Sequence, residues 1–241
     1  MPTILVTGAA NGLGAAFVEA YRIQPNTTIL ALDRQPILPT HPNIHSHTLD
    51  LINEQAIQSF ANQISTTPID LLIHSAGIRG LVPALEDQHP NDVAACETLT
   101  GMDIETITRT FQINSVATFA LLRALLPNLR MAAKPKVIIM SSRMGSLANN
   151  AKPNAAAGSA YAYRASKAAL NMIVRSFAVD VPEVVFVLCH PGRVETKLVK
   201  GREEGAIEAG ESVRGILPLI DRWCEGDSGK YYDRFGAAIA W

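Results

Sequence analysis

A doubly wound α/β domain, with a mostly parallel seven-stranded sheet and helices on both faces, is predicted from three observations. Short β-branched apolar runs recur at wide spacing, the intervals between them are long enough for helices, and most runs are apolar throughout rather than alternating. Strands buried on both faces read that way, and parallel strands need a helical crossover to return. With 241 residues, 48% hydrophobic and 18% charged, the chain suits one domain spanning 1–241 and excludes a disordered or fibrous protein.

The strand-like runs are Thr3–Thr7, Thr28–Leu32, Ile44–Leu49, Ile69–Ser75, Lys136–Ser141, Val184–Cys189 and Lys230–Phe235. Gly12–Ile23 places Leu13, Phe17 and Ala20 on one helical face, and Glu54–Ile64 does so with Ile57, Phe60, Ala61 and Ile64. Asp103–Leu126 and Tyr161–Val181 are apolar on more than one face, as helices covered on two sides would be. Pro25, Pro36, Pro39, Pro127, Pro135 and Pro182 fall between these elements, where breakers belong. The mixed segment Gly77–Thr100 and the Gly- and charge-rich Lys197–Ser212 interrupt the alternation, as substrate-side loops or solvated insertions do.

Charge narrows the functional classes. Lys and Arg total 21 against 22 Asp and Glu, a net charge of −1, which argues against nucleic-acid or anionic-membrane binding. Cys96, Cys189 and Cys224 are isolated thiols that suggest no disulfide framework. The apolar run Ile4–Val6 is broken at once by Thr7-Gly8, and no stretch approaches the ~20 apolar residues that span a bilayer. A soluble, cytoplasmic protein is expected. His41, His45 and His47 lack further ligands in their sequence context, so a solvated strand end is expected there and no metal site.

Two constellations carry chemistry. The first strand runs into Gly8-Ala9-Ala10-Asn11-Gly12-Leu13-Gly14 and then an amphipathic helix. Glycines there permit a tight turn and close backbone approach to a pyrophosphate, whose charge the helix N-terminus favours, so a Rossmann-type dinucleotide site is expected. Asp33, 19 residues after Gly14, ends the second strand, where a carboxylate can accept from an adenosine ribose. In the second constellation, Tyr163 and Lys167 lie four apart on a predicted helix and so share a face. The nearby cation is expected to lower the phenol pKa toward the working range of a general acid–base. Ser141 and Ser142 place hydroxyls at the C-terminal end of a strand, where ligands of open α/β sheets bind.

These residues resemble the short-chain dehydrogenases/reductases in their compact form. The family's T-G-x-x-x-G-x-G pattern matches Thr7, Gly8, Gly12 and Gly14, with Asn11 and Leu13 inside it. The resemblance implies that Asp50, followed by Leu51, contacts adenine. It also implies that Ser75-Ala76-Gly77 follow the fourth strand beside the cofactor, and that Pro191, Gly192, Val194 and Thr196 embrace the nicotinamide. It assigns a catalytic tetrad of Asn114, Ser142, Tyr163 and Lys167. The ending Ser228–Asp233, closing on Trp241, looks like the carbonyl-reductase or C-factor-like branch.

The sequence departs from the family pattern at two places. His74 and Ser75 stand where the family commonly has two asparagines, and weakened support of the neighbouring strand is expected. Ser142 and Tyr163 are 21 residues apart, longer than usual, so Asn149–Ser159 is expected to form an extra loop over the site. Ser141 could serve in place of Ser142 if that loop shifts the register. Ser142 is favoured because it lies three residues before Gly145.

The resemblance implies hydride transfer between a nicotinamide cofactor and a carbonyl or secondary alcohol. Tyr163 would donate the proton, Lys167 would lower its pKa and bind ribose, Ser142 would polarise the carbonyl, and Asn114 would hold a water. A nucleotide-binding sensor or scaffold without turnover, and a dehydratase or isomerase, are the competing readings. Asp33 argues for NAD over NADP, whereas Arg34 immediately after it argues the reverse; NAD is expected. Arg79, Arg143 and Arg193 could bind an acidic substrate or pair with carboxylates. The two long helices suggest a homodimer or homotetramer.

Overall fold

The computed structural model describes residues 1–37, 41–154, 158–201 and 203–241. Seven strands form one sheet in the order β3-β2-β1-β4-β5-β6-β7. They are β1 (Thr3–Thr7), β2 (Thr28–Asp33), β3 (Ile44–Thr48), β4 (Leu71–His74), β5 (Lys136–Met140), β6 (Val185–His190) and β7 (Lys230–Asp233). Every neighbouring pair is parallel, so the expectation of a mostly parallel sheet is met by one wholly parallel across these strands. The order reverses at β1, which places the crevice beyond β1 and β4 at the topological switch point.

The strands alternate between two cores. Leu5, Leu30, Leu72, Val137 and Phe186 face one layer, with α2 (Glu54–Gln63), α5 (Ala117–Arg130) and α6 (Tyr161–Asp180). Ile4, Val6, Ile29, Ile73 and Val187 face the other, with α1 (Gly12–Arg22) and a helix over Ala209–Arg222. β3, at one sheet edge, has no buried residue, which explains its polar sequence Ile-His-Ser-His-Thr. His47 there packs edge-on against Phe60, and no metal-binding cluster of His, Cys, Asp and Glu occurs among the described residues.

Three sequence expectations need correction or restriction. Pro127 lies inside α5 rather than after a helix. Leu121, Leu122, Leu125 and Leu129, all fully buried, hold the helix through the missing N–H bond, and buried Asn128 ties its end to the carbonyls of Ile64 and Thr67. Pro39 falls outside the described residues, as do Ala155–Ala157 of the loop expected at 149–159 and Arg202 of the segment 197–212. The segment 77–100 contains α3 (Pro83–Gln88) and a 3₁₀ turn at Ala95–Glu97, and α4 (Ile104–Phe111) follows it. Among the described residues no helix is long and apolar enough to cross a membrane.

Candidate active site

The β1–α1 turn is built by glycines for steric reasons. Gly8 has φ +66°, and a Cβ on it would lie 2.9 Å from the amide nitrogen of Ala76. The turn therefore presses against the strand exit Ser75-Ala76, and Thr7 Oγ1 accepts both of their N–H groups at 3.2 Å. A cavity of about 340 Å³ opens above. It is lined by every expected cofactor contact except Gly14, Gly192 and Val194. Gly14 is a packing glycine, and Gly192 sits against the Arg234 side chain. Gln35, Ile52, Ile78 and Leu198 also line the cavity. Their nearness in sequence to Arg34, Leu51, Gly77 and Thr196 was the only signal that could have found them.

Asp33 is held by two main-chain donors. Its Oδ2 accepts the Ala10 N–H and its Oδ1 the Gln35 N–H, each at 2.9 Å. Arg34 is exposed and lines the same cavity. The donors and the shape fit a dinucleotide: a glycine turn no side chain could occupy, a fixed carboxylate, and a helix N-terminus between them.

Asn114 lies in a π-helical turn, Gln112–Val116, where the Ala117 N–H reaches back to the Gln112 carbonyl. Its amide accepts from Ile78 N–H and donates to Ile78 O, both at 2.9 Å, and donates to Ser166 Oγ at 3.0 Å. The side chain thus braces the β4 exit against α6. Lys167 Nζ donates to Met140 O at 2.9 Å, and burial lowers its pKa to about 8. Ser141 is used structurally, donating to Asn171 Oδ1 at 2.5 Å. Ser142 Oγ accepts the Met144 N–H at 3.2 Å and stands against the Tyr163 phenol.

Two expectations change here. The Tyr163 pKa is raised, not lowered: burial of the phenol outweighs the opposing pull of Arg79 and of the Ser142 hydroxyl. Lys167, tethered to Met140, stands 5.8 Å from the ring centroid. Nor is support at His74 weakened. Its Nδ1 meets Thr7 Oγ1 and its Nε2 meets Thr118 Oγ1, each at 2.9 Å. Thr118 gives its only proton to the Asn114 carbonyl, so His74 Nε2 carries the ring proton and Thr7 donates to Nδ1. Burial first, then the charge of Lys167, lowers the His74 pKa to about 3, which keeps the ring neutral.

The arginines are engaged within the chain. Arg79 forms an ion pair with Glu97, Arg143 reaches Asp233 at 3.3 Å, and Arg193 donates to Glu204 O.

Residues 2–206 match the short chain dehydrogenase family. The chain belongs to that family. It is accordingly an NAD(P)-dependent oxidoreductase, and its wholly parallel sheet is the family's Rossmann-type fold. The C-signal protein of Myxococcus xanthus is 41% identical over 187 residues, covering 77% of this chain and all of that protein. The NADPH-bound carbonyl reductase from chicken fatty liver superposes with a TM-score of 0.84 at 28% identity, over 100% of this chain and 99% of its own. The carbonyl reductase Sniffer of D. melanogaster gives 0.81 at 26% identity, over all of both chains. The similarity therefore runs to the carbonyl-reductase and C-factor-like branch that the C-terminal sequence suggested.

Proposed function

We propose that this short-chain dehydrogenase reduces a carbonyl, or oxidises the corresponding secondary alcohol, with Tyr163 as the proton donor or acceptor. The observation that carries the reading is the meeting of the buried Tyr163 phenol with the Ser142 hydroxyl beside Lys167, at the edge of the glycine-turn cavity. A bound nicotinamide supplies or takes the hydride. Burial keeps Tyr163 protonated near neutrality, the form needed to donate to a developing alkoxide. Ser142 supplies a hydrogen-bond donor to the same oxygen, and the apolar surroundings strengthen both interactions. Lys167 keeps donors beyond the one given to Met140 and faces the cavity, where a ribose would be bound. Asn114 acts through the β4 exit it braces.

The preferred cofactor is NAD(H). The chicken carbonyl reductase holds NADPH, which argues the other way, and Arg34 gives that alternative a residue. Asp33 weighs more, because two main-chain donors fix its carboxylate at the cavity wall, whereas the exposed Arg34 is screened by water. A fixed negative charge there repels a 2′-phosphate. Steady-state assays with NADH and NADPH on a ketone panel test both readings. Wild type should favour NADH in kcat/KM, and Asp33→Ala should move the ratio toward NADPH by about tenfold, or ~1.4 kcal/mol. A wild-type preference for NADPH would overturn the cofactor assignment, and no oxidation of either cofactor would overturn the reaction.

Self-association belongs to the same reading. Val116 and Phe119 of the π-turn and α5, and Met172 and Val179 of α6, are exposed apolar side chains on adjacent helices. Leu122 and Leu125 of α5, by contrast, are fully buried in the chain's own core. A homodimer or homotetramer covering the exposed set is expected. Light scattering at micromolar concentration should give at least twice the 25.9 kDa chain mass; a monomer would count against the pairing.

A further inference from the structure

Arg79 stands on the loop leaving β4, and its guanidinium carbon lies 4.9 Å from the centroid of the Tyr163 ring. That is nearer than the Lys167 ammonium. The guanidinium is held as a fork: Nε donates to Glu97 Oε2 at 2.9 Å and Nη2 to Glu97 Oε1 at 2.8 Å. Both side chains are largely buried, 13% and 8% exposed. A buried ion pair is a poor source of stability, because two desolvation penalties oppose its attraction. Its placement against the ring gives it a second role.

Glu97 also fixes the start of α6. Its carbonyl accepts the Ala160 N–H at 2.9 Å and the Ser159 hydroxyl at 3.1 Å. Ser159 and Ala160 have φ +56° and +48°, a left-handed backbone that non-glycine residues adopt only when surroundings enforce it. Glu97 therefore sets both the helix that carries Tyr163 and the cation over its ring.

We propose that Arg79 is a positioning residue for the reaction: keyed by Glu97, its guanidinium covers one face of the Tyr163 ring and adds a positive charge beside the phenol to that of Lys167. The proposal rests on the reading of Tyr163 as the proton-transfer group. The other charged or titratable groups facing the phenol are Lys167 on α6, Glu97 on the 77–100 segment, Glu203 on the 197–212 segment and Tyr231 on β7. Of the charges acting on it, Arg79 is the strongest, and burial opposes it.

The test is a phenolate-absorbance pH titration of the full-length protein, taken as the difference from Tyr163→Phe in each background. Arg79→Met combined with Glu97→Gln removes both charges without leaving either buried alone. Its Tyr163 inflection should rise by about half a pH unit, because the lost cation outweighs the lost anion at the phenol. The inflection in the pH profile of kcat/KM for alcohol oxidation should rise with it. Arg79→Gln alone should raise the inflection at least as far, since the cation goes and the anion stays; this variant decides the matter if the double variant does not fold. An unmoved inflection in either folded variant overturns the role of Arg79. Retained turnover in Tyr163→Phe would instead sink the proton-transfer assignment, leaving the titration to report on Arg79 separately.

Discussion

Replacing Tyr163 by Phe should lower kcat/KM for carbonyl reduction by roughly 10²–10⁴-fold, the usual worth of a general acid, while leaving fold and cofactor binding in place. The ring is buried, with Arg79 over one face, and phenylalanine fills the same space. Only the hydroxyl is lost. Ser142 Oγ still accepts the Met144 N–H, so the change is confined to the one hydrogen bond between its hydroxyl and the phenol. The cofactor cavity is shaped mainly by the glycine turn and the strand exits, which the substitution does not touch. Turnover, cofactor affinity by fluorescence titration, and circular dichroism separate the three effects. Near-normal turnover would remove Tyr163 as the acid. A matching loss of cofactor affinity would mean that the phenol binds rather than reacts.

The parts legible in the sequence are those set by local pattern. The run Thr3–Thr7 is wholly buried, as an apolar parallel strand must be, and the glycines after it form the turn their spacing suggested. The fourth strand begins at Leu71 rather than Ile69, because the Ile69 N–H goes to the Asn128 carbonyl outside the ladder. The helix Ala209–Arg222 follows a Gly- and charge-rich approach that reads as a loop, although Val213, Ile216, Leu219 and Ile220 carry a helical period and are all buried.

What could not be read depends on contacts distant in sequence. The i,i+4 relation of Tyr163 and Lys167 is visible, but the cation nearest the ring comes from Arg79. The burial that raises the phenol pKa is a property of the assembled fold. His74 looked like a lost asparagine. Its compensation needs Thr7 from β1 and Thr118 from α5, one on each side of the ring. Neither hydroxyl points to a histidine when read along the chain.

Gly14→Ala should destabilise the protein by about 3 kcal/mol or more even without cofactor, through overpacking between backbones. A Cβ there would lie 2.0 Å from the Gly8 carbonyl oxygen and 2.6 Å from its carbon. The obstacle is main chain, so no side-chain rotation relieves it. The first turn of α1 would have to move away from β1, against the packing of Leu13 and Phe17 in the core. Gly12 differs in cause: its Cβ would meet only the Thr196 methyl at 3.0 Å, a side chain at the cavity wall that can turn, and the cost there lies in its φ of +55°. Gly14 does not line the cavity, so its requirement is helix-to-strand packing rather than approach to a ligand. For a chain of this size the loss corresponds to a fall in Tm of about 6–12 °C. Thermal unfolding of the cofactor-free protein, followed by circular dichroism, checks it. A Gly14→Ala variant melting within about 2 °C of wild type would show that the turn yields freely and that the third glycine is not needed for packing.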